Sequence, residues 1–316
     1  MLARVKPYVI GLLTYTPLAA RYRIPRTGGT DDPAYCYAVF LRHLAYAHRA
    51  GLAQVPEVVA ELGPGDSLGT GLAWLIAGAE RYLAFDVKRY ATAERNVTVF
   101  DGLVELFRAR AEAPGRDAFP ELKPDLDTTA FPTEILGDAH LAQALAPERL
   151  RRIREALSTV EQASSGPVTY IVPWDDAANV REESVDLIFS QAVMEHVEDI
   201  DHVYTVCRRW LKRGGMISHQ IDFRSHGTAP TWDGYRAYSE LQWRIVRGRR
   251  DYLINRVPDA GHLEAIRRHG LTVVTQIPSL SEPTLRPDEY GERFRQLSEG
   301  SRRTSGLFVQ AVLSSP

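Results

Sequence analysis

The stretch Val58-Val59-Ala60-Glu61-Leu62-Gly63-Pro64-Gly65-Asp66-Ser67-Leu68-Gly69 limits what this chain can fold into more than any other. An apolar run leads into it, and a helical run, Leu72-Ala73-Trp74-Leu75-Ile76, follows. Strand, tight glycine turn and helix in that order begin an α/β unit. Glycine suits the turn because it takes backbone angles other residues avoid and lets a ligand approach the main chain with no Cβ in the way. At the carboxyl end of the first strand of an α/β sheet, such a turn is where adenosine-bearing ligands sit.

Two glycines do not choose the ligand. The dinucleotide pattern wants a third glycine where this chain has Leu68. Glu61 tilts the reading, since a carboxylate two residues before the first glycine does not serve a pyrophosphate but can hold a cationic or amino-bearing group, directly or through water. Arg81-Tyr82-Leu83-Ala84-Phe85-Asp86 reads as a second strand ending in a carboxylate. Asp86 follows Gly65 by about 20 residues, the spacing suited to ribose hydroxyls. Capping the next helix is its plainer role.

Further down, Asp186-Leu187-Ile188-Phe189-Ser190 reads as a strand, followed by Gln191-Ala192-Val193-Met194-Glu195-His196-Val197. A helix over roughly Ile200 to Leu211, the segment Lys212-Arg213-Gly214-Gly215 and a strand from Met216 to Ile221 come next. In this order the segments resemble those of class I S-adenosylmethionine-dependent methyltransferases. The E-x-G-x-G turn is similar to that family's motif I, with Ser67 at the third small position. The D-L-I-x-S…E-H-V run is similar to its fourth strand, and the glycine pair to an L-K-P-G-G turn whose proline is Arg213 here. The resemblance spans roughly Val55 to Ile221, and more loosely the C-terminal strands.

The resemblance implies an α/β, Rossmann-like, mostly parallel seven-stranded sheet with helices on both faces, and S-adenosyl-L-methionine as cofactor. It puts Glu61, Gly63, Pro64, Gly65 and Ser67 beside the methionine part, Asp86 on the ribose, and Ser190 and Gln191 on the cofactor side of the fourth strand. After the third strand, Val168 to Val172, Trp174 stands where the family often has an adenine-binding acid, with Asp175 and Asp176 next to it. Either aspartate suits the adenine amino group, with Asp175 preferred, and Trp174 could wall the ring.

The organisation follows. Residues 1–54 read as an N-terminal extension or cap, with a helix from Asp31 to Ala50, and 55–316 as the methyltransferase domain. The apolar run Val9 to Ala20 is too short to span a membrane and contains Pro17; it reads as a segment packing over the active site. Between the second and third strands lies an insertion, about 90–166, longer than a crossover needs. There Asp101 suits a helix cap ahead of Leu103, Leu106 and Phe107, and Pro147 the first turn of a second helix. The insertion reads as packed decoration or as a lid. The chain closes with a helix near Gly261 to His269 and strands near Leu271 to Thr275 and Leu307 to Leu313.

With 38 basic and 40 acidic residues among 316, no positive field advertises nucleic acid. Cys36 and Cys207 have no zinc-like spacing and suggest no disulfide framework, which suits a cytoplasmic protein. The expected partner is a small-molecule or saccharide substrate, without nucleic acid or membrane.

Methyl transfer needs alignment of the acceptor, and an oxygen acceptor also needs a proton acceptor. His219, Asp222 and His226, on and just past the fifth strand, are the catalytic candidates, with His196 behind them. No residue is assigned to a metal, although magnesium held by Asp222 with Asp186 or Glu195 is a conceivable variant. From Thr231 to Arg256, aromatics and arginines (Trp232, Tyr235, Arg236, Tyr238, Trp243, Arg256) suit substrate contact or one aromatic helix face. The expectation is O-methylation of a small molecule or saccharide. A nicotinamide-dependent oxidoreductase and a catalytically silent S-adenosylmethionine-binding protein are the alternatives.

Overall fold

Seven strands form one sheet: β1 (Val58–Leu62), β2 (Arg81–Phe85), β3 (Val168–Ile171), β4 (Val185–Gln191), β5 (Leu211–Asp222), β6 (Leu271–Leu280) and β7 (Thr304–Leu313). Their order is β3-β2-β1-β4-β5-β7-β6. Only β7 runs antiparallel, against β5 on one side and β6 on the other. The computed structural model describes residues 2–16, 29–160, 165–174 and 177–314.

Parallel strands buried on both faces read as nearly continuous apolar runs, as β1, β2 and β4 do. Alternation sends successive side chains to opposite layers. Phe189 joins Phe40, Trp74 and Phe107 on one face, and Ile188 joins Phe85, Trp210 and Ile217 on the other. The first face is covered by α2 (Pro33–Arg49), α3 (Gly69–Ile76), α4 (Ala93–Arg108) and α6 (Pro147–Ser158). The second is covered by α7 (Ile200–Trp210) and α9 (Asp259–Arg268). Phe40 meets Trp74 edge-on at 4.9 Å, and Phe85 stacks on Trp210 at 4.6 Å.

The N-terminal residues supply two helices. Asp32 caps α2 by accepting from the Ala34 N–H at 2.8 Å, with Pro33 in the first turn. α1 (Leu2–Leu13) lies on α8 (Glu240–Arg247), where Tyr8 meets Tyr238 edge-on and Thr14 Oγ1 accepts from the Arg249 N–H. The described part of the expected Val9–Ala20 segment therefore packs on α8. The rest of that segment lies outside the described residues.

Several boundaries differ from expectation. Thr92 caps α4, and Asp101 sits within that helix, paired with Arg154 across to α6. α6 begins at Pro147, as its sequence suggests. The Lys212–Gly215 segment is part of β5 rather than a turn before it, and the pairing register with β4 shifts there. The insertion packs on α2: the Tyr46 hydroxyl donates to Asp125 O, and Arg42 Nε to Pro124 O.

The aromatic and arginine stretch after β5 proves structural in large part. Tyr235, Trp243 and Phe294 form a small separate core. Arg236 is buried beneath it, donating to the carbonyls of Ser301, Arg302 and Thr304. Arg256 lies 4.6 Å from the Trp243 ring centre and pairs with Glu240. Removing a buried donor orphans its acceptors. Arg236→Met is therefore expected to cost about 2–4 kcal/mol of unfolding free energy in a denaturant titration. A loss under about half a kcal/mol would show that those carbonyls do not depend on it.

Candidate functional site

The chain order reverses at β1, which lies between β2 and β4, and open α/β sheets form a ligand crevice past the strand ends at such a switch. Gly63 and Gly65 make the turn after β1 with φ of +66° and +79°, values that disfavour any side chain. A Cβ on Gly63 would also lie 2.6 Å from Val193 Cγ2, so the loops after β1 and β4 touch there. The Gly63 N–H donates to Phe85 O, tying the turn to β2.

Two buried carboxyls lie at the ends of β1 and β2. Asp86, at the end of β2, is buried and accepts from the Val87 N–H at 2.7 Å, with the Gly65 backbone also against it. Burial lifts its pKa to about 6. Glu61 is 2% exposed and takes the Tyr82 hydroxyl on Oε2. Burial pushes its pKa to about 8, opposed by the bonds to Tyr82 and the Gly71 backbone. Its carboxyl thus points beneath the turn, into the layer of α3, rather than outward to a ligand.

Ser67 has a role the sequence did not suggest. Its hydroxyl donates to Thr30 O, and its N–H to Thr30 Oγ1 at 3.2 Å. The residues preceding α2 are thereby fastened to the glycine turn. Trp174 donates its backbone N–H to Asp86 O at 3.1 Å, while its ring packs near Phe85 and Trp210. Asp175 and Asp176 lie outside the described residues.

Ser190 is wholly buried, its hydroxyl 2.8 Å from His219 Nδ1 between β4 and β5. Both lie on the α7 and α9 face, so Ser190 is a core group rather than a surface facing a cofactor. His219 is likewise 0% exposed, and burial lowers its pKa to about 3. As a base for a bound acceptor it is in the wrong place. Gln191 is half-buried on the opposite face, its amide donating to Gln220 Oε1 at 3.2 Å.

The carboxyl ends of β4 and β5 hold the remaining groups. Asp222 is clasped by Arg224, whose Nε lies 2.9 Å from each carboxylate oxygen and whose other arm reaches Glu121 of the insertion. That ion pair engages both Asp222 carboxylate oxygens. His226 Nε2 lies 3.5 Å from Asp222 Oδ2, and the His226 ring meets His196 edge-on at 5.0 Å. Burial lowers both imidazoles, His196 to about 4, so both are neutral at pH 7. Glu195 is 2% exposed, and neither of its oxygens has a hydrogen-bond partner of good geometry. Burial pushes its pKa far up. Asp186, by contrast, starts β4 at the opposite end of the sheet, bound to the Val58 N–H and Lys212 Nζ. It cannot share a cation with Asp222.

Sequence reasoning missed Tyr90. It is half-buried, and burial, with Asp86 nearby, raises its phenol's pKa; Tyr252 beside it is 39% exposed with φ +55°. Lys88 Nζ sits 5.3 Å from the Tyr252 ring centre. No local spacing joins positions 90 and 252. Among the described residues, no helix is long and apolar enough to cross a membrane.

A sequence model of the family described as methyltransferase domain matches residues 137–218. No curated protein matches the sequence. Among solved structures, the chain is similar to an S-adenosylmethionine-dependent methyltransferase from Mesorhizobium loti, with 15% identity, 85% of this chain and 97% of that one covered, and a TM-score of 0.41. It is also similar to phosphoethanolamine N-methyltransferase 2 of Haemonchus contortus, solved with S-adenosyl-L-methionine, with 16% identity, 89% and 57% coverage and a TM-score of 0.42. A methyltransferase from Methanosarcina mazei gives 10%, 86% and 98%, and 0.44. Residues 137–218 thus match the methyltransferase-domain family, and the sheet has the strand order and glycine turn of a Rossmann-like α/β fold.

The Glu61 carboxyl sets a pH dependence. Its pKa is about 8 folded and about 4.3 unfolded. Between those values the folded chain keeps a proton that the unfolded chain has lost, so this group removes stability as pH rises from about 4.3 to 8. Glu61→Gln lacks that loss. Urea titrations from pH 5 to 9 should find the variant gaining on the wild type up to about pH 8 and level beyond. A constant difference across the range would contradict a buried, protonated Glu61.

Proposed function

We propose that the chain is a methyltransferase that holds S-adenosyl-L-methionine over the Gly63–Gly65 turn and methylates an oxygen of a small molecule or saccharide. The observation that carries the cofactor part is the meeting of three features at one switch point: a positive-φ glycine turn, the buried Asp86 carboxyl beside it, and the β4 loop against Gly63. In this reading the open backbone of Gly63, Pro64 and Gly65 lies along the methionine part and Asp86 accepts from the ribose hydroxyls. Glu61 holds the turn from below, and Ser67 ties the N-terminal residues over it. Trp174, Tyr90 and Tyr252 supply aromatic surface near the adenosine. When bound, the sulfonium supplies an already electrophilic methyl group.

The chain's task is then to hold the acceptor in line and to accommodate its proton. An oxygen acceptor is favoured by the neutral imidazoles of His196 and His226 at the ends of β4 and β5. The contact from Glu121 to Arg224 supports a share for the insertion in covering this end. A labelled-methyl screen over sugars, phenols and acids tests the acceptor class; transfer confined to amines would contradict the oxygen assignment.

Charge-assisted hydrogen bonds are worth about 1.5–3 kcal/mol. Asp86→Ala is therefore expected to weaken S-adenosylmethionine binding at least tenfold in calorimetry while leaving the circular dichroism spectrum unchanged. Because Asp86 protonates near pH 6, wild-type affinity should fall as pH drops through that value, and the alanine variant should not follow. Equal affinities in the two proteins at pH 7.5 would remove Asp86 from the site.

A further inference from the structure

Glu195, His196 and His226 each offer one ligand atom, and the three atoms all lie within 4.8 Å of one another. Two of them come from the loop after β4 and the third from the loop after β5, so different strands bring them together. Glu195 carries the argument. It is buried, it is aimed into this cluster, and neither of its oxygens has a hydrogen-bond partner of good geometry, only the Glu195 and Asp222 backbone nearby. An unpaired buried carboxyl is costly, and buried carboxyls otherwise find a partner or a metal. His196 Nδ1 is also without a partner, while the ring is approached by the Tyr252 backbone. His226 is held in a left-handed conformation, φ +44°, with Asp222 behind it at 3.5 Å.

We propose that Glu195, His196 and His226 bind a divalent transition-metal cation, with Asp222 orienting the His226 ring from outside. Two imidazoles and one carboxylate suit zinc, manganese or ferrous iron better than magnesium, which prefers an all-oxygen shell. Ligand atoms about 2.1 Å from a metal lie about 3.4 Å apart in a tetrahedron. The cluster, whose atoms lie within 4.8 Å of one another, therefore has to close by up to about 1.4 Å. The His226 side chain, 27% exposed on a loop, has the freedom to do so and leaves an entry path. A metal-ligating histidine commonly gives its other nitrogen to a carboxylate or carbonyl, the places taken here by Asp222 and the Tyr252 backbone.

Three protein ligands leave a coordination position open. Val193, which touches Gly63, lies on the same loop as Glu195 and His196, so the open position belongs to the acceptor end of the crevice. An acceptor hydroxyl bound there would lose its proton to water more readily. That consequence rests on the methyltransferase reading; the binding of the cation does not.

The test uses the full chain, freed of metal with a chelator that is then removed, with no acceptor present. Calorimetric titration with Zn²⁺ or Mn²⁺ should show one site per chain, at least 100-fold tighter than for Mg²⁺. Glu195→Gln and His226→Gln should each weaken it at least tenfold. Melting supplies a second readout. Glu195→Gln removes a buried unpaired acid, so the stripped variant should melt no lower than the stripped wild type, yet lose the rise that metal gives the wild type. Binding that is absent, or equal in wild type and both variants, would overturn the proposal. S-adenosylmethionine titrated into the same stripped protein reports the cofactor site separately, so failure of either reading is recognised without the other.

Discussion

The structure depends on the close approach of two loops at the sheet's switch point. Gly63 has no room for a side chain against Val193, and its backbone takes a left-handed angle to make the turn. This single contact sets the spacing between the glycine turn at the end of β1 and the loop after β4, where Glu195 and His196 stand. Asp86 lies against the Gly65 backbone of the turn, while Glu61, at the end of β1, is tied to Tyr82 of β2 and the Gly71 backbone of α3. The division explains why two buried acids so close together have different work. Asp86 ends its strand and takes the backbone N–H groups of the turn beyond it, whereas Glu61 is enclosed with Tyr82.

Burial sorts the histidines in the same way. His43, His219 and His262 are wholly enclosed, each bonded to a hydroxyl: Ser218, Ser190 and Tyr204 respectively. Neutral imidazoles with hydroxyl partners are packing groups, and they join the central strands to α2 and α9. His196 and His226 lie instead where loops replace strands, with a buried acid between them and Asp222 held by Arg224. The enclosed set serves the fold, and the loop set lies at the carboxyl ends of β4 and β5.

Much of this was legible in the sequence because its signals are local. The glycine turn, the acid about 20 residues on and the E-H-V segment each sit within one strand–turn–helix unit. Other features failed for stated reasons. Asp101 and Thr92 are both good caps, and only the packing of α4 on α2 and α3 selects Thr92. His219 looks close to a strand end by count, but β5 pairs with β7 through Asp222 and α7 and α9 cover that face. The Trp232–Arg256 stretch fits a binding surface and a small core equally well by composition; only burial separates Arg236, which anchors backbone carbonyls, from the exposed Tyr252. The meeting of Glu195 with His226, some 30 positions apart, comes from the adjacency of β4 and β5 and leaves no trace in spacing.

The central claim is that the turn between β1 and α3 is built for a sulfonium-bearing adenosine and not for a dinucleotide. Calorimetric titration of the wild-type chain with S-adenosylmethionine and, separately, with NADH tests it most directly. The account predicts saturable one-to-one binding of S-adenosylmethionine, abolished by Gly65→Val, and no heat from NADH. Binding of NADH with none of S-adenosylmethionine would contradict it.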